Sequence, residues 1–178
     1  MYTEASREPL LRSQQFAAVL TAVGCARAFV QQTVRAWQLV SIRDDAVLVA
    51  SELVTNAVRS TGNTDPHPDY AALARVPVIR VQLGVRDRLL LVEVWDPSTE
   101  PPVLQGQRDG AEHGRGLHIV HVVSERWGVY FPKSGGKVVW AALTATHAHP
   151  PDRLSDAALP GDDCRSAAAA TLSLPTMP

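Results

Sequence analysis

Glu52 and Asn56 stand four residues apart in the segment Ser51-Glu52-Leu53-Val54-Thr55-Asn56-Ala57. On a helix that spacing sends a carboxylate and a carboxamide out from one face. The carboxylate can accept a proton from water or from a hydroxyl nucleophile, and a neutral carboxamide oxygen suits Mg2+ that is carried with phosphates. The same pair also reads as the solvated polar face of a surface helix. Further along, the apolar run Val92-Glu93-Val94-Trp95 ends in Asp96-Pro97-Ser98. A carboxylate at a strand end can accept a hydrogen bond from a ring amino group in an apolar pocket, which would tell adenine from guanine. Asp before Pro is equally a turn starter. A third segment, Glu112-His113-Gly114-Arg115-Gly116-Leu117, runs a Gly-x-Gly straight into a helical pattern. Glycines let the backbone approach phosphate, and the free amides and positive dipole end of a helix start favour an anion, to which Arg115 could add charge. An ordinary loop before a helix has the same appearance, and neither the dinucleotide-binding glycine fingerprint nor a P-loop is present.

The elements that must position these residues follow from hydrophobic spacing. Ala22, Ala26, Phe29, Val30 and Val34 have the period of a helix over residues 22–37. Val47, Ala50, Val54, Ala57 and Val58 predict a second helix to about Ser60, with Ser41 and Asp44 at capping-box spacing before it. Residues 62–76 are poor in apolar residues and read as a surface loop. Ile79, Val81, Leu83 and Val85 alternate with Arg80, Gln82 and Gly84, and residues 89–95 return as the second strand of a hairpin. A loop over residues 97–113 precedes a helix over 116–125, with Leu117, Val120 and Val123 inward. Strands over 127–131 and 138–143 finish the pattern, joined by Lys133-Ser134-Gly135-Gly136. Helices first, then strands with one further helix, predict an α+β two-layer sandwich: a mixed, mainly antiparallel sheet with about three helices on one face.

Composition narrows the classes. A chain of 178 residues with 46% hydrophobic and 20% charged residues is globular and long enough for one domain. Its 17 basic and 18 acidic residues offer no electrostatic reason for direct contact with nucleic acid or an anionic membrane. Cys25 and Cys164 lie far apart with no ligand set beside them, which suggests neither zinc nor a disulfide framework. No signal-peptide pattern and no long apolar run occur, so a soluble cytoplasmic protein is expected. Residues 1–14 read as an N-terminal extension, 15–146 as the domain, and 147–178, rich in Ala, Pro, Asp and Ser, as a disordered tail.

Taken in order, a helix with Glu and Asn, a strand ending in Asp, a long loop and a Gly-x-Gly helix start resemble the nucleotide-binding boxes of the GHKL (Bergerat-fold) ATPase superfamily, which includes gyrase and the histidine kinases. Ala26-Arg27-Ala28-Phe29, Ser51 to Val58, Gly114-Arg115-Gly116-Leu117, Trp127-Gly128 and Gly136-Lys137-Val138-Val139-Trp140-Ala141 are similar to the small stand-alone anti-sigma-factor serine/threonine kinases. The resemblance covers residues 15–143. It implies a Bergerat sandwich binding ATP and Mg2+. Asn56 would hold the metal, Asp96 would meet the adenine amino group, and Gly114, Arg115, Gly116 and Leu117 would form the phosphate loop. Glu52 would be the general base toward a serine or threonine of an antagonist protein, and residues 97–113 the lid. The implied partners are a sigma factor, its antagonist, or both, with a homodimer compatible by resemblance alone. A nucleotide-gated binding module with little or no phosphoryl transfer is the alternative.

Three positions depart from the superfamily pattern. The Asp-x-Gly-x-Gly box is Asp96-Pro97-Ser98-Thr99-Glu100 here, a Gly-Thr before the last strand is Gly136-Lys137, and Ser60 stands where the small kinases often carry His. His118 and His121 lie three apart without further metal ligands in register, so they read as structural or surface residues. Trp37, Trp95, Trp127 and Trp140 fall on strand or helix patterns and read as core.

Overall fold

A computed structural model describes residues 10–65, 69–86, 88–102 and 116–144 of the protein. Alternating apolar residues build a five-stranded sheet from β1 (Leu11–Ala17), β2 (Val78–Arg86), β3 (Leu89–Asp96), β4 (Arg126–Tyr130) and β5 (Lys137–Thr144), in the order β1-β2-β3-β5-β4. Every strand pairing among the described residues is antiparallel. The parallel element of the expected mixed sheet is confined to an isolated bridge between Val19 and Asn63.

The helices are α1 (Ala22–Ala36), α2 (Arg43–Thr61), the short α3 (Tyr70–Leu73) and α4 (Gly116–Val123). Helix α2 lies on the sheet and packs against α1 on one flank and α4 on the other. The architecture is therefore an α+β two-layer sandwich. Its core forms where the apolar stripe of α2, from Ala46 through Leu53 and Val54 to Val58, meets Ile79, Val81 and Leu83 of β2 and Leu90, Val92 and Val94 of β3. Each fully buried Val or Leu in such a layer contributes about 1.5–3 kcal/mol.

Four local features differ from the sequence expectation. The N-cap of α2 is Ile42, at the end of a 3-10 turn, with no side-chain cap. The helix thus starts past Ser41, and Asp44 in its first turn accepts a 2.8 Å bond from Arg43 Nε. Strand β1 was not foreseen, because its burial pattern is almost wholly exposed and it lacks the apolar alternation that announces a strand. Helix α3 breaks the expected loop of residues 62–76, with Asp69 Oδ1 accepting the Ala72 N–H at 2.7 Å. Helix α4 stops two residues early because Glu125 N–H bonds Ala142 O at 2.9 Å and the chain enters β4 at once.

The expected lid at residues 97–113 lies outside the described residues from 103 onward, as do Gly114, Arg115 and the tail 147–178. No helix among the described residues is long and apolar enough to cross a membrane.

Candidate functional site

Glu52, Asn56 and Ser60 form a sloping column on α2, one turn apart, while Leu53, Val54, Ala57 and Val58 between them enter the core. Glu52 and Asn56 are half-buried. The hydrophobic anchoring on either side fixes the rotation of α2, so Glu52 and Asn56 are held at the edge of the helical layer, while Ser60 at the end of the column is exposed. Behind it, Arg27 Nε of α1 donates to Ser51 Oγ at 2.8 Å, and Ser51 Oγ donates to Val47 O at 2.6 Å. The first of these bonds ties α1 to α2 at the residue next to Glu52.

The upper part of the column meets the start of α4. A Cβ placed on Gly116 would stand 2.5 Å from Glu52 Oε2 and 3.7 Å from Asn56 Nδ2. The first and third segments singled out in the sequence are thus in contact, and only a glycine permits the approach. Leu117, the next residue, sends its side chain into the core at 4% exposure, so only its main chain can face a ligand.

The lower part meets the end of the sheet. Asp96 closes β3 on its helix-facing side, opposite Lys137 in the β3–β5 register, and is 1% exposed. Its Oδ1 accepts from Lys137 Nζ at 2.8 Å and from Ser98 N–H at 2.9 Å. Lys137 Nζ also donates to Ser60 Oγ at 3.4 Å. Asp96 is therefore a buried ion-paired carboxylate rather than a simple turn starter. Lys137 was not foreseen as its partner. The signal was available: in the alternation of β5, Lys137 shares the inward side with Val139, Ala141 and Leu143, where a charge is out of place unless paired.

Other residues fall outside this cluster. His121 Nδ1 accepts from Trp127 Nε1 at 3.3 Å, and both His118 and His121 are exposed. Trp37 and Trp127 pack against the core, whereas Trp95 and Trp140 lie on the sheet face turned away from the helices. On that far face Glu93 is 7% exposed and is bonded by Gln82 Nε2 at 2.8 Å and by Tyr130 Oη at 3.4 Å. Burial pushes its carboxyl above the ordinary range, more than these donors and the Arg80 charge pull it down. A shallow depression of about 360 Å3 lies at the far end of α2, lined by Thr61, Gly62, Asn63, Arg75, Val76 and Pro77 among others. Among the described residues Arg75 is its only charged lining residue, so it lacks the convergent groups of the Glu52 column.

The arrangement offers a carboxylate and a carboxamide beside a glycine helix start, with a second carboxylate two turns away at a strand end. That is a layout for holding a phosphate chain and, beyond it, a hydrogen-bonding ring. The family model described as Histidine kinase-like ATPase domain matches residues 16–143. No curated protein matches the chain.

Proposed function

Because the chain belongs to the histidine kinase-like ATPase domain family, we propose that its ATP-binding regulatory role is that of an anti-sigma factor with serine/threonine kinase activity toward a protein antagonist. The observation that carries the proposal is the contact of Gly116 with Glu52 and Asn56. A pure binder needs no carboxylate at the phosphate end of its site, whereas a kinase needs a proton acceptor there.

The residues present fit a magnesium–phosphate group. The bare α-carbon of Gly116 leaves a cradle that a side chain would fill, with Glu52 Oε2 beside it and the Asn56 carboxamide presenting Nδ2, so that a turn of the amide would bring its oxygen there. When bound, Mg2+ neutralises charge on the phosphate oxygens. Asn56 would hold it through the carboxamide oxygen, and the free amides at the start of α4 would bind the phosphates. By family resemblance Gly114 and Arg115 complete that loop, and Asp96 accepts from the adenine amino group. Glu52 takes the proton of the attacking seryl or threonyl hydroxyl onto its carboxylate. The hydroxyl oxygen bonds to the γ-phosphorus as the bond to the bridging oxygen breaks, and ADP leaves. The partners are a sigma factor and its antagonist, with a regulatory effect on transcription exerted through them.

The test is incubation with ATP labelled in the γ-phosphate and an extract of the organism's own cells, followed by detection of labelled seryl or threonyl protein. The wild type is expected to label a discrete species and Glu52→Gln to lose that labelling while still binding ATP. Equal labelling by both would remove Glu52 from the mechanism. The second reading, a nucleotide-gated binding module, is favoured by the altered box after Asp96, where Pro97, Ser98, Thr99 and Glu100 supply neither glycine of the superfamily pattern. ATP binding with no labelled species in either protein would select it.

A further inference from the structure

Lys137 pairs with Asp96 at the end of the site where a base would lie, at a position where the wider superfamily carries threonine. Its ammonium is 4% exposed and lies 2.8 Å from the Asp96 carboxylate, itself 1% exposed. Stability is a poor reason for the pair, since well-packed apolar residues in place of a buried ion pair are often neutral or stabilising. The hydrogen-bond accounting is more informative. A lysine ammonium has three donors. Among the described residues, one goes to Asp96 Oδ1 and one to Ser60 Oγ. Both bonds that Asp96 accepts fall on Oδ1. A donor on Lys137 and an acceptor, Oδ2, on Asp96 therefore remain side by side.

We propose that Lys137 is a specificity-determining residue that reads the base jointly with Asp96. Oδ2 of Asp96 accepts from an exocyclic amino group, and Nζ of Lys137 donates to the neighbouring ring nitrogen. Adenine presents that order, an amino donor next to the N1 acceptor. Guanine presents the reverse, a carbonyl oxygen next to an N1–H, so its oxygen would face the carboxylate and its N–H the ammonium. Repulsion at both places then adds to the loss of two bonds, which is how a polar site rejects a near-isostere strongly. The ion pair itself keeps the two groups in register, because Asp96 and Lys137 are direct partners across β3 and β5. Ser60 braces the ammonium from α2.

This inference rests on the ATP-binding reading above, and the experiment separates the two. The affinity of the full-length protein is measured by calorimetry for Mg-ATP, Mg-GTP and 1-deaza-ATP, in which a C–H replaces N1. A hydrogen bond from a charged donor corresponds to about tenfold or more in affinity. The wild type is expected to bind ATP about tenfold or more tightly than 1-deaza-ATP and to discriminate against GTP. In Lys137→Met the ratio of ATP to 1-deaza-ATP should fall to near one. The wild-type comparison stands even if that variant fails to fold. Equal affinity of the wild type for ATP and 1-deaza-ATP would overturn the role of Lys137 while leaving the ATP site intact. Tighter ATP binding by Lys137→Met would show the ammonium to be in the way of the base, and would overturn it also. Absence of ATP binding by the wild type would sink both readings.

Discussion

Gly116 approaches Glu52 so closely that a single methyl group on its α-carbon would stand 2.5 Å from Glu52 Oε2. The two residues are 64 positions apart in the chain, yet the start of α4 and the exposed edge of α2 meet there. The atom in the way is the far end of a flexible side chain rather than backbone. A substitution should therefore cost function before it costs folding.

Gly116→Ala forces the Glu52 carboxyl into another rotamer. Label transfer should fall about tenfold to a hundredfold, toward the loss expected when a general base is displaced. The melting temperature should move by no more than a few degrees, as for a change of about 1 kcal/mol or less. Parallel transfer assays and thermal melts check this, and full activity in Gly116→Ala would show that Glu52 does not act from its observed position.

The Asp96–Lys137 pair makes a separate prediction about stability. Lys137→Met leaves an unpaired carboxylate at 1% exposure and should cost about 3–5 kcal/mol in urea unfolding. Combining it with Asp96→Leu should recover most of that loss, because no buried charge is left unmatched. A single substitution with no cost would mean that the carboxylate is open to water.

Glu93 predicts a pH dependence on the far face of the sheet. Its carboxyl is raised, chiefly by burial. A raised group contributes stability that is fully present below its unfolded pKa and is lost as pH rises through the folded value. Glu93→Gln removes this loss. Relative to wild type, the variant should therefore gain stability as pH rises from 4 to 7, starting near the ordinary Glu pKa of about 4.3. Unfolding curves at the two pH values read the difference directly, and a constant difference would mean that Glu93 ionises as freely as in the unfolded chain.

The layers of the fold were legible because buried faces impose a period. The stripe Ala50, Val54, Ala57, Val58 and the alternation Ile79, Val81, Leu83 lie where the sequence places them. Strand β1 escaped notice because it is an edge strand whose side chains are nearly all exposed, so that main-chain pairing with β2 holds it rather than burial. The α2 start was misread for a related reason. Ser41 and Asp44 have the spacing of a cap, but the 3-10 turn ending at Ile42 shifts the helix start past Ser41. At the site, the meeting of Gly116 with Glu52 and Asn56 is a tertiary contact that spacing along the chain cannot express. The pairing of Asp96 with Lys137 depends on the β3–β5 register, which joins strands separated by α4 and β4.

The most direct test of the site is a calorimetric titration of the protein with Mg-ATP, repeated on Asn56→Ala. Saturable binding that weakens about tenfold or more in the variant is the predicted result, since in the proposed site Asn56 would supply a ligand to the metal at the phosphate end. No saturable binding to the wild type, or equal affinity in both proteins, would contradict the assignment of nucleotide to the space between α2 and the start of α4.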